Sequence, residues 1–167
     1  MSKLEIVTVP HPVLRQPAES IKDINQQIVE LAKAMVETMY AAPGIGLAAP
    51  QVNQSVRLIT VDLTVGEKEN QLIILVNPEI VEAEGEDVQE EGCLSVPDIQ
   101  EKVKRPFRVL VKGYDLDGRE KSIEAEGLLA RVFCHEVDHL NGTLFIDRLS
   151  PLKRSLIRKK LRKKQAS

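Results

Sequence analysis

The sequence predicts an α+β fold, because its strand-like runs fall in one block flanked by segments of helical periodicity. Ile24, Ile28, Leu31, Met35 and Met39 recur at the spacing of one helical face, and Asp23 or Asn25 is placed to cap a helix running to about Tyr40. Runs rich in β-branched residues follow at 56–63 and 72–76, the second stopping before Asn77-Pro78. Residues 107–114 alternate with period two, turn at Asp115-Leu116-Asp117-Gly118 and return over 119–124, the pattern of a hairpin. The stretch 127–141 is apolar around nearly its whole axis, which predicts a buried helix. Ser150 ahead of Pro151 opens a last, basic helix over about 150–164.

At 167 residues and 43% apolar content, the chain can bury one substantial core, and it reads as a single domain over 1–167. With no tryptophan, branched aliphatics must fill that core. The start, Met1-Ser2-Lys3-Leu4-Glu5, has no apolar leader segment, and no apolar run approaches membrane-spanning length, so a cytoplasmic protein without membrane contact is expected. Two cysteines make no disulfide framework, which fits a reducing compartment. The net charge of −2 conceals an asymmetry: residues 151–167 carry eight Lys or Arg and no acid.

The strongest chemical signal is His135-Glu136-Val137-Asp138-His139-Leu140-Asn141-Gly142. On a helix, His135 and His139 lie one turn apart and point the same way, spaced to grip one divalent metal, with Glu136 on the adjoining flank. A surface helix with two solvated histidines is the plain alternative. It fits poorly, because buried histidines and a buried glutamate need partners and a metal supplies them. Two histidines leave the ligand set incomplete. The position that would carry a third histidine in a metzincin is Phe145, His11 between Pro10 and Pro12 reads as a turn residue, and Asp147 follows too closely. Cys134 points about 100° away from His135 and reads as core. Cys93, in the turn-like break Glu90-Glu91-Gly92-Cys93-Leu94-Ser95, is the chosen third ligand, since a thiolate binds zinc or ferrous iron strongly.

A third unusual segment, Gly44-Ile45-Gly46-Leu47-Ala48-Ala49-Pro50-Gln51, has two glycines and small residues, as where something approaches the backbone closely. Taken alone, it reads first as a plain helix-to-strand connection. Together and in order, the three segments resemble the signature motifs of peptide deformylases, roughly G-x-G-x-A-A-x-Q, E-G-C-L-S and H-E-x-D-H-x-x-G. The resemblance runs from Val9-Pro10 to Leu149-Ser150-Pro151-Leu152, and the short Glu-Gly-Cys-Leu-Ser version looks like the bacterial type 1, Gram-negative form.

That resemblance implies mostly antiparallel sheets wrapped around a central metal-binding helix, with N- and C-terminal helices. It implies removal of the formyl group from N-formylmethionine on newly made polypeptides, with release of formate. Cys93, His135 and His139 would hold the metal: Fe2+ is expected in the cell, and Zn2+, Ni2+ or Co2+ could substitute. Glu136 would be the general base and then the acid, while the Gln51 amide and Leu94 N–H would stabilise the oxyanion. Gly44, Ile45, Gly46, Leu47, Gly92, Leu128 and Val132 would bind the formylmethionyl peptide, and Asp138 would hold a histidine tautomer. Two positions depart from the usual pattern: Arg131, expected to pair with an acid at the pocket edge, and Gln100, where some relatives carry arginine.

Two other readings compete. A zinc endopeptidase would use the same octet, but its downstream ligand is missing. A ribosome- or RNA-associated protein would use the basic tail, which also reads as a solvated helix packed by Leu152, Leu156, Ile157 and Leu161. Ribosome association through that tail is compatible with an enzyme acting on nascent chains.

Overall fold

The computed structural model describes residues 3–166, so the single unit expected over 1–167 extends beyond the described residues at both ends. Helix α1 spans Gln26–Ala41, and Asn25, one of the two expected caps, accepts a hydrogen bond from the Ile28 N–H at 3.1 Å. Seven strands follow: β1 Gly46–Ala48, β2 Leu58–Val61, β3 Ile73–Glu84, β4 Asp87–Cys93, β5 Val96–Arg105, β6 Arg108–Tyr114 and β7 Glu120–Glu126. Helices α2 Leu128–Leu140 and α3 Pro151–Ala166 close the chain. The fold is α+β.

Strands β1, β2, β3, β6 and β7 form one antiparallel sheet in that order, and β4 and β5 form a separate antiparallel hairpin. Helix α2 lies against the larger sheet, where Ala130, Phe133 and Leu140 pack with Ile59, Val61, Leu75, Val109 and Val111. Burying aliphatic side chains of this kind contributes about 1.5–3 kcal/mol each, which makes α2 a rigid floor for whatever it carries. On the other side of β1 and β2, α1 inserts Ala32, Met35 and Met39 against Leu47, Leu58 and Val76. A third cluster joins Leu14, Val96, Ile99, Val103, Phe145 and Ile157, and it ties the hairpin to the C-terminal segment.

Three features depart from the sequence reading. Strand β3 runs through Asn77-Pro78 instead of stopping there, because a register shift between Val76 and Glu79 leaves the proline outside the regular ladder. The β4–β5 hairpin was unexpected: Cys93 ends a strand rather than sitting in a loop. The only fully inward position of β4 is Glu91, and β5 ends on buried Arg105, so charges occupy places where a strand pattern needs apolar residues. Finally, α3 packs through Ile157 and Leu161, whereas Leu152 and Leu156 are 71% and 57% exposed. Ser150 does cap α3, accepting from the Lys153 N–H at 3.3 Å.

Candidate metal centre and catalytic cleft

Helix periodicity carries His135 and His139 to the same side of α2, with ring centroids 5.0 Å apart. The end of β4 brings Cys93 to them, with its Sγ 3.4 Å from His139 Nε2. One ligand atom from each of Cys93, His135 and His139 lies within 4.8 Å of the others. In a tetrahedral site, bonds of about 2.3 Å to sulfur and about 2.1 Å to nitrogen set those two atoms about 3.6 Å apart, so the cysteine–histidine spacing suits a bound ion. The donor set of one thiolate and two imidazoles suits zinc or ferrous iron. Burial holds His139 well below the ordinary histidine pKa, so its ring is neutral, as a ligand must be. His139 Nδ1 has no hydrogen-bond partner among the described residues.

The ring of His135 is anchored, but not by Asp138. Its Nδ1–H donates to Glu91 Oε1 at 2.9 Å, which leaves Nε2 available to an ion. Asp138, expected to hold a histidine tautomer, hydrogen-bonds to neither histidine ring. One residue before His139, it is turned about 100° around α2 and accepts instead from Arg105 Nη1 and Arg148 Nη2, both at 2.6 Å. The sequence reading missed Glu91. Its carboxylate also accepts from Arg105 Nε at 2.8 Å, Arg105 Nη2 at 2.9 Å and Arg131 Nη1 at 2.6 Å. Burial would raise the Glu91 pKa, but Arg105 and then His135 outweigh it and hold the carboxyl down at about 2. Arg131 therefore does pair with an acid. It is buried beneath the cleft, and it also donates to the Asp87 and Val103 carbonyls at 2.7 and 2.9 Å.

Glu136 is 4% exposed, and its Oε1 has no partner among the described residues. Burial pushes its pKa up to about 7, and a divalent cation alongside would favour the ionised form. Strand β1 leaves room for it: a Cβ on Gly46 would stand 2.6 Å from Glu136 Oε2 and 2.8 Å from Val132 Cγ1. Gln51 is 2% exposed and directed to the same place. Its Oε1 accepts from the Ala48 N–H at 3.0 Å, and its Nε2 lies 3.2 Å from Ser95 Oγ and 3.7 Å from Cys93 Sγ. Leu94 follows Cys93 in the tight turn between β4 and β5.

These groups open on a cleft of about 1070 Å³, lined by Gly44, Ile45, Gly46, Gln51, Gly92, Cys93, Leu94, Leu128, Val132, His135 and Glu136, with Gln100 opposite Gly92. Leu47, expected to bind the peptide, does not line the cleft: it is fully buried among Met35, Met39 and Leu58, because strand alternation sends it to the face opposite Gly46. Cys134 is buried, with burial pushing its thiol up to about 11. His11 is a turn residue whose Nδ1 accepts from the Val13 N–H at 3.1 Å.

A family profile described as polypeptide deformylase matches residues 3–155. A peptide deformylase of Thermodesulfovibrio yellowstonii is 53% identical over 165 residues, covering 99% of this chain and 100% of that one. The peptide deformylase of Syntrophobacter fumaroxidans is 52% identical over 164 residues, covering 98% and 96%. The crystal structure of a peptide deformylase from Legionella pneumophila superposes with a TM-score of 0.90 at 44% identity, covering 98% of this chain and 96% of that chain. With profile, sequence and fold in agreement over nearly its whole length, the chain belongs to the polypeptide deformylase family and is an enzyme of that kind.

Proposed function

We propose that this enzyme removes the formyl group from N-formylmethionyl nascent peptides, using a divalent metal held by Cys93, His135 and His139. The observation that carries this reading is the approach of Cys93 Sγ to His139 Nε2 at 3.4 Å, beside a buried Glu136 with a free oxygen. When bound, the metal supplies a Lewis acid that polarises the formyl oxygen and acidifies water. Glu136 accepts a proton from the attacking water and delivers it to the departing amine, as a carboxyl poised near neutrality can. The water oxygen bonds to the formyl carbon, the C–N bond breaks, and formate leaves with a free methionine amine. Gln51 Nε2 and the Leu94 N–H donate to the developing oxyanion. Ile45, Leu128 and Val132 offer the methionine side chain an apolar wall, and the peptide backbone runs past Gly44, Gly46 and Gly92, where no side chain intervenes. Glu91 and Asp138 hold the surrounding charges, Glu91 directly on His135.

Fe2+ is the cellular metal in this proposal, with Zn2+, Ni2+ or Co2+ able to substitute, and activity is lost in air as Cys93 or the iron oxidises. The enzyme works in the cytoplasm, and α3 gives it a salt-sensitive ribosome association. No helix among the described residues is long and apolar enough to cross a membrane.

The test is formate release from formyl-Met-Ala beside an internal peptide, with the wild type and Glu136→Ala at equal metal content. The proposal expects formate from the first substrate, an intact internal peptide bond, and a loss of at least about 100-fold in the variant. Cleavage of the internal peptide would favour the endopeptidase reading instead.

A further inference from the structure

We propose that a second cavity, on a different face of α3 from the catalytic cleft, is a binding site for an organic polyphosphate such as a nucleoside diphosphate. The inference goes beyond the deformylase reading and does not depend on it.

Helix α3 stands between two spaces. Leu156, Ile157 and Lys160 line the catalytic cleft, whereas Arg154, Arg158, Leu161 and Arg162 line a separate cavity of about 330 Å³. At about 100° per residue, the two sets lie on different sides of the helix. The helix is held there by Ile157, which is buried with Ile99 and Val103, and by Lys153, which pairs with Glu101 of β5 at 3.2 Å. The cavity volume falls within the roughly 300–1,000 Å³ of small-molecule sites.

The lining has two parts. Val9, Leu14, Ile146 and Leu161 make an apolar side. Four guanidinium groups join them, those of Arg15, Arg154, Arg158 and Arg162. Among the described residues that line the cavity, Asp147 is the one carboxylate, and it already accepts from Arg15 Nη1 at 2.5 Å and the Leu144 N–H at 2.9 Å. The other three arginines pair with no carboxylate among the described residues, and Arg154 Nε is buried with no hydrogen-bond partner among them. A buried donor without an acceptor is destabilising, and like charges at one-turn spacing repel, so this lining is completed by an anion. His11 adds a donor to the same cavity: its Nδ1 accepts from the Val13 N–H at 3.1 Å, which puts the proton of the neutral ring on Nε2.

Spacing selects the anion. From Arg154 to Arg162 the row covers about 12 Å of helix axis, more than one phosphate can bridge. Guanidinium forks take phosphoryl oxygens in pairs, so a row of them suits two or more linked phosphates. The apolar side receives the organic body that carries them.

The experiment is calorimetric titration of the metal-loaded full-length enzyme with ADP, inorganic phosphate and a single-stranded RNA dodecamer. It compares wild type with Arg154→Gln, Arg158→Gln and Lys159→Gln. Lys159 is exposed on the same helix and lines neither space, and neither arginine lines the catalytic cleft. Wild type is expected to bind one ADP per chain, about tenfold or more tighter than inorganic phosphate. Each arginine variant should weaken ADP about tenfold, while Lys159→Gln stays within about twofold. Arg158 is exposed, so its variant keeps the test open should Arg154→Gln fail to fold. Absence of saturable ADP binding, equal affinity for ADP and phosphate, or the same loss in Lys159→Gln would overturn the site. Capture of the RNA without ADP binding would also overturn it, in favour of an extended nucleic-acid surface. Formate release plays no part in the readout, so the deformylase reading stands or falls separately.

Discussion

Glu91 is the residue whose replacement is most informative, because one buried carboxylate serves four donors. It takes two bonds from Arg105, one from Arg131 and one from His135, and it is 8% exposed. In Glu91→Gln the shape is kept, but the charge is lost and an NH2 group is turned toward existing donors. Arg105 retains Asp138 at 2.6 Å, and Arg131 retains only Asp87 at 3.6 Å beside its carbonyl partners. Breaking one side of a buried ion pair costs about 3–5 kcal/mol. At roughly 2–4 °C per kcal/mol for a domain of this size, that is a fall in Tm of about 10 °C. His135 also loses the anion on Nδ1, which is expected to weaken metal binding by about 10- to 100-fold. Thermal or urea unfolding of the metal-free protein reads the first effect, and chelator competition on the loaded protein reads the second. Glu90→Gln, at the exposed neighbouring position, should stay within about 0.5 kcal/mol of wild type. Metal-free Glu91→Gln within about 1 kcal/mol of wild type, with unaltered metal affinity, would refute this account of the network.

Other substitutions separate stability from activity. Gly46→Ala places a methyl group 2.6 Å from Glu136 Oε2 and 2.8 Å from Val132 Cγ1, so formate release by the folded variant should fall at least about tenfold, with a stability loss of about 1–3 kcal/mol; an active variant would show that Glu136 has room to move. Gly142→Ala meets the Arg15 carbonyl oxygen at 2.6 Å from a residue with φ of 74°, and a loss of about 2 kcal/mol or more is expected in urea unfolding, because backbone on both sides must shift. Asp62 accepts from Tyr40, Thr64 and the Gly66 N–H; burial opposes its ionisation, but these bonds win and lower its pKa. A depressed carboxyl stabilises the fold above its unfolded pKa of about 3.9, and this stability is lost as pH falls through the folded value. Unfolding midpoints measured downward from pH 6 should therefore drop less steeply in Asp62→Asn than in wild type, and equal slopes would remove Asp62 from the acid response.

The parts of this fold readable from sequence are those where one kind of signal acts alone. The cap at Asn25, the all-round apolar character of α2 and the β6–β7 alternation each reflect a single local preference, and each element formed. The three motifs converge on one cleft, as their resemblance to deformylases implied. What escaped was set by long-range pairing. The β4–β5 hairpin buries Glu91 and Arg105 against each other, so its inward positions read as solvent-facing in one dimension. Asp138 sits in a motif beside His139, yet its partners, Arg105 and Arg148, come from β5 and from beyond α2. Leu47 lay in the right segment on the wrong face, since three-residue β1 was too short to announce its alternation. Leu156 looked like one more apolar position of an amphipathic helix, and only the placement of α3 over β5 brings it to the cleft.

The most direct test of the central claim is X-ray absorption at the metal edge of the loaded wild type and of Cys93→Ser. A centre built from β4 and α2 predicts one sulfur and two imidazoles in the wild type, with the sulfur scattering absent from the variant. A wild-type spectrum with no sulfur neighbour, or one unchanged by removing Cys93, would contradict it.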